Sequence, residues 1–201
     1  MQPLFLRTSM AEAREAFSRM NITVVSPDGS LQCRPDTTWE REDRDFYVPD
    51  GVESLSFTPV LFARMSRAGR CIAPKFAARY YDSVCYGVLL SVDGCPWGHL
   101  FDRSSVLPAV TYTKLTLEKE DNAFVFSRNS ETLFSAENGK DSASRLENAI
   151  SRASETVSQR TGDLVALEIG DSMPLCSRKD DSAQISGSYC GNRLFDFKII
   201  F

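Results

Sequence analysis

Apolar residues are densest between Leu61 and Leu90, where two hydrophobic runs are separated by a short polar stretch. Leu61–Met65 reads as a strand interrupted only by Arg64. Ser66–Arg70 carries a turn, with Gly69 able to take the positive φ that a sharp reversal often needs. Pro74 suits the first turn of a helix, because the N–H it lacks would be unpaired there anyway. Phe76, Tyr80 and Tyr81 then fall on one helical face, which is expected to pack the helix onto a sheet. Val84–Val92 is almost purely apolar and long enough for a strand buried on both faces. The chain is organised around this strand, tight loop, short helix, strand unit.

The same patterning extends outward. Leu4–Leu6 reads as a first strand, and Ser9-Met-Ala-Glu12 has capping-box spacing at the start of a helix over Ser9–Met20. Ile22–Val25 is β-branched and strand-like, and Ser26-Pro27-Asp28-Gly29 closes it as a turn. Glu40–Asp45 is a mixed-charge loop, expected to be solvated. Thr111–Leu117 and Ala123–Phe126 read as strands, with turns at Ser127–Ser130 and Asn138-Gly139. Ser142–Arg160 is the best helix: Leu146, Ile150, Ala153 and Val157 step by 4, 3 and 4. Leu164–Ile169 is strand-like, Arg178–Asp181 a solvated loop, and Ile185–Phe197 a closing hairpin around Gly191-Asn192. No repeat or low-complexity linker separates these elements, so residues 1–201 are expected to form one domain.

Composition narrows the function classes. The 201 residues are 42% hydrophobic with 13 Phe, enough for a sizeable core. A net charge of -4 argues against general nucleic-acid or anionic-membrane binding. No apolar run approaches the ~18 residues of a membrane span. The opening MQPLFLRTSM lacks the pattern of a secretory signal. Six scattered cysteines form no C-x-x-C pair; Cys71 and Cys85 read as core thiols and Cys95 as an exposed one. The cytoplasm is the expected compartment. His99 is the only histidine, which disfavours zinc.

Arg64-Met65-Ser66-Arg67-Ala68-Gly69-Arg70 and Arg79-Tyr80-Tyr81-Asp82 resemble the R-I-S-R-x-G-K turn and R-Y-Y-D helix end of the fumarylacetoacetate hydrolase family. Arg34-Pro35-Asp36-Thr37 is similar to that family's K-P-x-T segment, and Phe46–Asp50 to its following strand and turn. The resemblance runs from about Met20 to the C-terminus and is tightest in Arg64–Gly87 and Leu146–Asp163. It implies an α+β fold, a mixed β-sandwich roll with a few helices, and a homodimer. It also implies Mg²⁺ or Mn²⁺ held by an E-x-E pair and an Asp, because hard cations take oxygen ligands and alternate strand residues share a face. Such a metal grips a keto or diketo acid and stabilises an enolate.

In register with Arg64, the E-x-E positions hold Thr58 and Val60, with Pro59 between them. Proline removes a ladder donor, so an edge or distorted strand is expected there. In register with Asp82, the aspartate position falls at Gly94, beside Asp93. The family's N-terminal histidine motif finds no match in Leu6–Glu15. Its lysine is absent between Pro96-Trp97 and Phe101-Asp102, and Leu167–Gly170 replaces its T-G-T-P loop. The expected reading is thus a family scaffold without cofactor, binding a small anionic metabolite or serving as a scaffold. Arg34 is placed at the pocket mouth as an anion holder, with Asp93 as a second ligand-binding residue. His99 and Asp102 are the weak candidates for acid–base work. The alternative is a Mg²⁺- or Mn²⁺-dependent C–C hydrolase, isomerase or decarboxylase acting on an acylpyruvate, β-diketo acid or oxaloacetate, with ligands rearranged onto Asp93, Asp102 and Glu53.

Overall fold

The computed structural model describes residues 20–119 and 122–201. The strand expected at Leu4–Leu6, the helix expected from Ser9 and the Leu6–Glu15 stretch lie outside the described residues. In chain order the first strands are β1 (Ile22–Val25), β2 (Leu31–Arg34), β3 (Trp39–Glu40), β4 (Phe46–Tyr47) and β5 (Ser54–Met65). Helix α1 (Pro74–Ala77) leads to β6 (Tyr81–Val92), β7 (Ser105–Val106), β8 (Tyr112–Thr113), β9 (Ala123–Arg128) and β10 (Glu131–Glu137). Helix α2 (Ser142–Thr156) then precedes β11 (Leu164–Glu168), β12 (Met173–Ser177), β13 (Ser182–Tyr189) and β14 (Asn192–Ile200).

Two sheets result. The larger runs β2-β1-β11-β5-β6-β7-β3, with β12 also on β5 and β8 also on β6; the smaller runs β10-β9-β13-β14-β4. Aromatic side chains fill the space between them. Phe57 meets Phe126 at 4.5 Å between ring centroids. Tyr86 stacks on Phe124 at 5.3 Å and meets Tyr189 at 4.9 Å. Tyr86 lies opposite Leu61, so Phe57 and Leu61 belong to the face of β5 that packs on the smaller sheet. By alternation Ser56, Thr58, Val60 and Phe62 point the other way. The architecture is the α+β roll expected from the sequence, with β5 and β6 at its centre.

Proline 59 does not mark an edge. Strand β5 is central, flanked by β6 on one side and by β11 and β12 on the other. The β11 pairing ends at Glu168↔Val60 and the β12 pairing begins at Met173↔Phe57. Pro59 therefore falls in the break between two neighbours, where no ladder asks for its missing N–H, while its carbonyl still accepts from Ile169 N at 3.0 Å.

Other local expectations are corrected. The helix after Pro74 is a single turn: Arg79 N and Tyr80 N bond to Phe76 O and Ala77 O, an i→i+3 tightening that delivers Tyr81 into β6. Phe76 is consequently exposed, while Tyr81 is buried at the head of a strand. Cys71 is exposed at φ 51, its N–H held by Ser154 O, and Ile72 takes the buried place beside it. Past Thr113 the chain leaves the strand for a 3-10 turn over Lys114–Glu118. Glu40 is buried and accepts from Arg103 Nε at 2.5 Å. Arg103 also donates to the carbonyls of Arg44 and Asp45, so this charged loop is tied down.

Candidate functional site

The face of β5 that points away from the smaller sheet carries Ser56, Thr58 and Val60, and the antiparallel register supplies their neighbours. Ser91 stands opposite Ser56, Leu89 opposite Thr58 and Gly87 opposite Val60. On the next strand Ser105 lies opposite Leu89 and shares a 2.9 Å hydrogen bond with Thr38. On the other flank Glu168 lies opposite Val60. Four hydroxyls, those of Ser56, Thr58, Ser91 and Ser105, thus form a hydroxyl row across one end of this face.

Arg34 closes this row. Pro35 holds the preceding residue in extended conformation, and a 3-10 turn over Asp36–Thr38 carries the chain from β2 to β3. Those two strands are the opposite ends of the seven-strand path through the nine-stranded sheet, so a connection of four residues, 35–38, can join them only because the sheet is rolled. Arg34 sits at that seam, 3% exposed. Its Nη1 donates to Leu90 O at 3.1 Å and to Ser104 O and Oγ at 3.4 Å. Nη2 reaches Ser91 Oγ at 3.3 Å and Nε reaches Gln32 Oε1 at 3.2 Å.

Every one of those acceptors is neutral. Burial pulls the guanidinium down to about 10, and Glu168 opposes that shift from a distance. The group remains a cation at neutral pH, buried without a carboxylate in contact among the described residues. His99 feels it: burial first, then the positive charge of Arg34, lower the imidazole below its ordinary range, while the Pro96 carbonyl opposes them. Ser104 Oγ links the two segments, meeting Arg34 Nη1 and donating to the His99 carbonyl at 3.4 Å. His99 therefore contacts Ser104 through its backbone, and the pair is not a nucleophile with its base.

Arg34 is corrected from a pocket-mouth residue to an interior one. Asp93 lies in the turn after β6, accepting from Ser54 Oγ at 2.6 Å and from Ser56 Oγ. It joins the hydroxyl row through Ser56, the residue opposite Ser91. Asp102 goes elsewhere, to a separate groove of about 420 Å³ with Phe46, Tyr47, Leu100 and Arg103. Glu53 is exposed and pairs with Arg178 at 3.7 Å. Asp93, Asp102 and Glu53 are not brought together, and among the described residues no three His, Cys, Asp or Glu side chains converge.

Gly94 is also corrected. It sits at φ 71 in the turn beyond the end of β6, whereas the register sets Leu89 and Gly87 across from Thr58 and Val60. Thr58 brings a neutral hydroxyl and Val60, fully buried, brings only hydrocarbon. That donor set does not fit Mg²⁺ or Mn²⁺, which need several hard oxygens and negative charge to offset their own. What the row presents is one guanidinium and several hydroxyls, donors of the kind that suit an oxyanion. Sequence reasoning missed Ser91, Ser104, Ser105 and Glu168. The only signal was a polar residue punctuating an apolar strand, as Ser91 and Glu168 both do.

No protein-family model matches the sequence, and no curated protein matches it. Solved structures share its fold. A Yersinia pestis protein described as belonging to the fumarylacetoacetate hydrolase family is 16% identical, with 90% of this chain and 93% of that chain covered at TM-score 0.73. Maleylpyruvate hydrolase from a Sphingobium species is 13% identical, with 89% and 70% covered at TM-score 0.73. Fumarylpyruvate hydrolase from Pseudomonas aeruginosa, whose structure holds Mn²⁺ and pyruvate, is 15% identical, with 91% and 90% covered at TM-score 0.72. The chain has the fold of these hydrolases. No helix among the described residues is long and apolar enough to cross a membrane.

Proposed function

We propose that this chain is a divergent fumarylacetoacetate hydrolase-fold protein that binds a small anion in its rolled sheet and does not perform metal-dependent hydrolysis or decarboxylation. The observation that carries the reading is Arg34, a buried cation ringed by neutral acceptors. A buried charge is costly unless something of opposite sign compensates it, and a small oxyanion on Arg34, Ser91 and the hydroxyl row would do so. Thr58 and Val60, where the resemblance calls for glutamates, fit the same exchange of an acidic site for a cationic one. A homodimer belongs to this reading through the resemblance, and sedimentation velocity reads it.

Calorimetric titration of oxalate, phosphate and pyruvate into metal-free protein tests the anion. Binding that persists in chelator and weakens with added salt is the expected result. Silence with all three at about 10 mM overturns it. The alternative, a Mg²⁺- or Mn²⁺-dependent enzyme of C–C bond chemistry, draws on the fold shared with the hydrolases above. It predicts turnover of acetylpyruvate or oxaloacetate with added metal, lost on Asp93→Asn.

A further inference from the structure

A second cavity, of about 420 Å³, opens where β12 meets the ends of β9 and β10. Its volume falls within the range of small-molecule sites. Leu133 and Leu175 give it apolar walls, and its polar groups are Ser54, Asp93, Arg128, Ser177 and Asp180. Of these five only Asp93 also borders the hydroxyl row around Arg34.

The charged groups are fixed in place. A bulge between Pro174 and Cys176 takes Leu175 out of the β12–β5 register, and its carbonyl accepts from Arg128 Nη1 at 2.6 Å. That bond is the only one the Arg128 side chain makes among the described residues. Its Nε is buried and finds no acceptor among the described residues, so the guanidinium is under-satisfied at a cost in free energy. Neither carboxylate of the cavity supplies one. Asp180 is engaged by Ser177 N at 2.7 Å and Ser177 Oγ at 3.2 Å. Asp93 is engaged by Ser54 and Ser56. The Ser177 N–H first, and Arg128 further, hold the Asp180 carboxyl below its usual range, so it is anionic at neutral pH.

One opening therefore presents a guanidinium bonded at Nη1 alone, two oriented carboxylates and a leucine-lined wall. A simple anion would meet two negative groups, and a simple cation would meet Arg128. We propose that this cavity binds a zwitterionic amino acid with an apolar side chain, its carboxylate on Arg128, its ammonium facing Asp93 and Asp180, and its side chain against Leu133 and Leu175. This cavity shares only Asp93 with the anion site at Arg34.

The test is calorimetric titration of L-leucine into the native protein, beside isoamylamine, which lacks the carboxylate, and 4-methylpentanoate, which lacks the ammonium. L-leucine should bind, and each truncated analogue at least about tenfold more weakly. Arg128→Met should weaken L-leucine by a similar factor while leaving oxalate binding at Arg34 unchanged, which separates the two sites. Leu133→Trp, which fills the cavity without touching a charge, gives the same readout should Arg128→Met fail to fold. Three results overturn the proposal: no L-leucine binding up to about 10 mM, an analogue binding as tightly as L-leucine, or an L-leucine affinity unchanged in either variant.

Discussion

Replacing Arg34 by Met distinguishes a residue kept for binding from one kept to hold the roll shut. The shift of the guanidinium from its usual 12.5 to about 10 corresponds to about 3 kcal/mol against the buried cation. Met keeps the length of the stem, fits an apolar surrounding and removes that cost. It also withdraws donors from five acceptors. Of these, Ser104 O keeps Leu90 N at 2.7 Å and Gln32 Oε1 is only part-buried, leaving the Leu90 carbonyl and the hydroxyls of Ser91 and Ser104 short of a donor. Contacts of 3.1–3.4 Å are long, and each lost acceptor partner costs about 1 kcal/mol. The two sums nearly cancel, so Arg34→Met should change stability by no more than about 1 kcal/mol in either direction. Urea unfolding followed by tryptophan fluorescence measures this, with the slope against denaturant unchanged. Anion binding should be lost in the same variant. A loss above about 3 kcal/mol would refute the reasoning, because the guanidinium would then be a net staple of the seam.

His99 should titrate below its ordinary range in the native protein and move back up in Arg34→Met, as read by NMR of the imidazole. Because its pKa is depressed on folding, its contribution to stability is fully present above the unfolded value of about 6.5 and is lost as pH falls from there through the lower folded pKa. A His99 pKa unmoved by Arg34→Met would separate the two residues. Asn138 accepts from Tyr86 at 2.8 Å and donates to the carbonyls of Thr116 at 2.7 Å and Lys119 at 3.0 Å. Asn138→Ala should cost about 3 kcal/mol in the same urea assay, and a loss under about 1 kcal/mol would show that the network is replaceable. A Cβ at Gly170 would stand 3.0 Å from Pro59 Cγ and 3.1 Å from Phe134 Cε2. Gly170→Ala should therefore destabilise by about 1–2 kcal/mol, and a neutral result would mean that Phe134 gives way freely.

The centre of the fold was legible because β6 and the second half of β5 are buried on both faces, so their apolar runs are nearly unbroken, whereas Ser54, Ser56, Thr58 and Pro59 hid the first half of β5. Helix α2 was legible for the opposite reason, a one-sided stripe through Leu146, Ile150 and Ala153, although it ends at Thr156 and not at Arg160, because Val157 is already extended. Strand β10 was not, since it is a sheet edge whose residues are mostly exposed and whose register slips between Thr132 and Phe134. The turn of the last hairpin was displaced by one residue. Its positive-φ positions are Cys190 and Gly191, and nothing in cysteine signals a left-handed backbone. At the candidate site, Arg34 and Asp93 could be singled out as charged residues but their surroundings could not. Ser91, Ser104 and Ser105 become neighbours of Arg34 only through a register and a rolled seam that local pattern does not encode. Glu40 shows the same limit, since its burial depends on Arg103, 63 positions away.

Strand β1 lies between β2 and β11, pairing antiparallel with the first and parallel with the second, Ile22 against Leu164. During synthesis the β1–β2 hairpin is complete long before its other neighbour leaves the ribosome. All four residues of β1 are buried in the finished protein, so the nascent chain carries an apolar strand with an open edge while more than a hundred further residues are made. Such edges invite pairing with other chains, and partners this distant in sequence close slowly. The yield of soluble protein should therefore depend on what shields β1 in that interval. A chain truncated before Leu164 should be captured by chaperones or aggregate, even though β5 and β6 are already present.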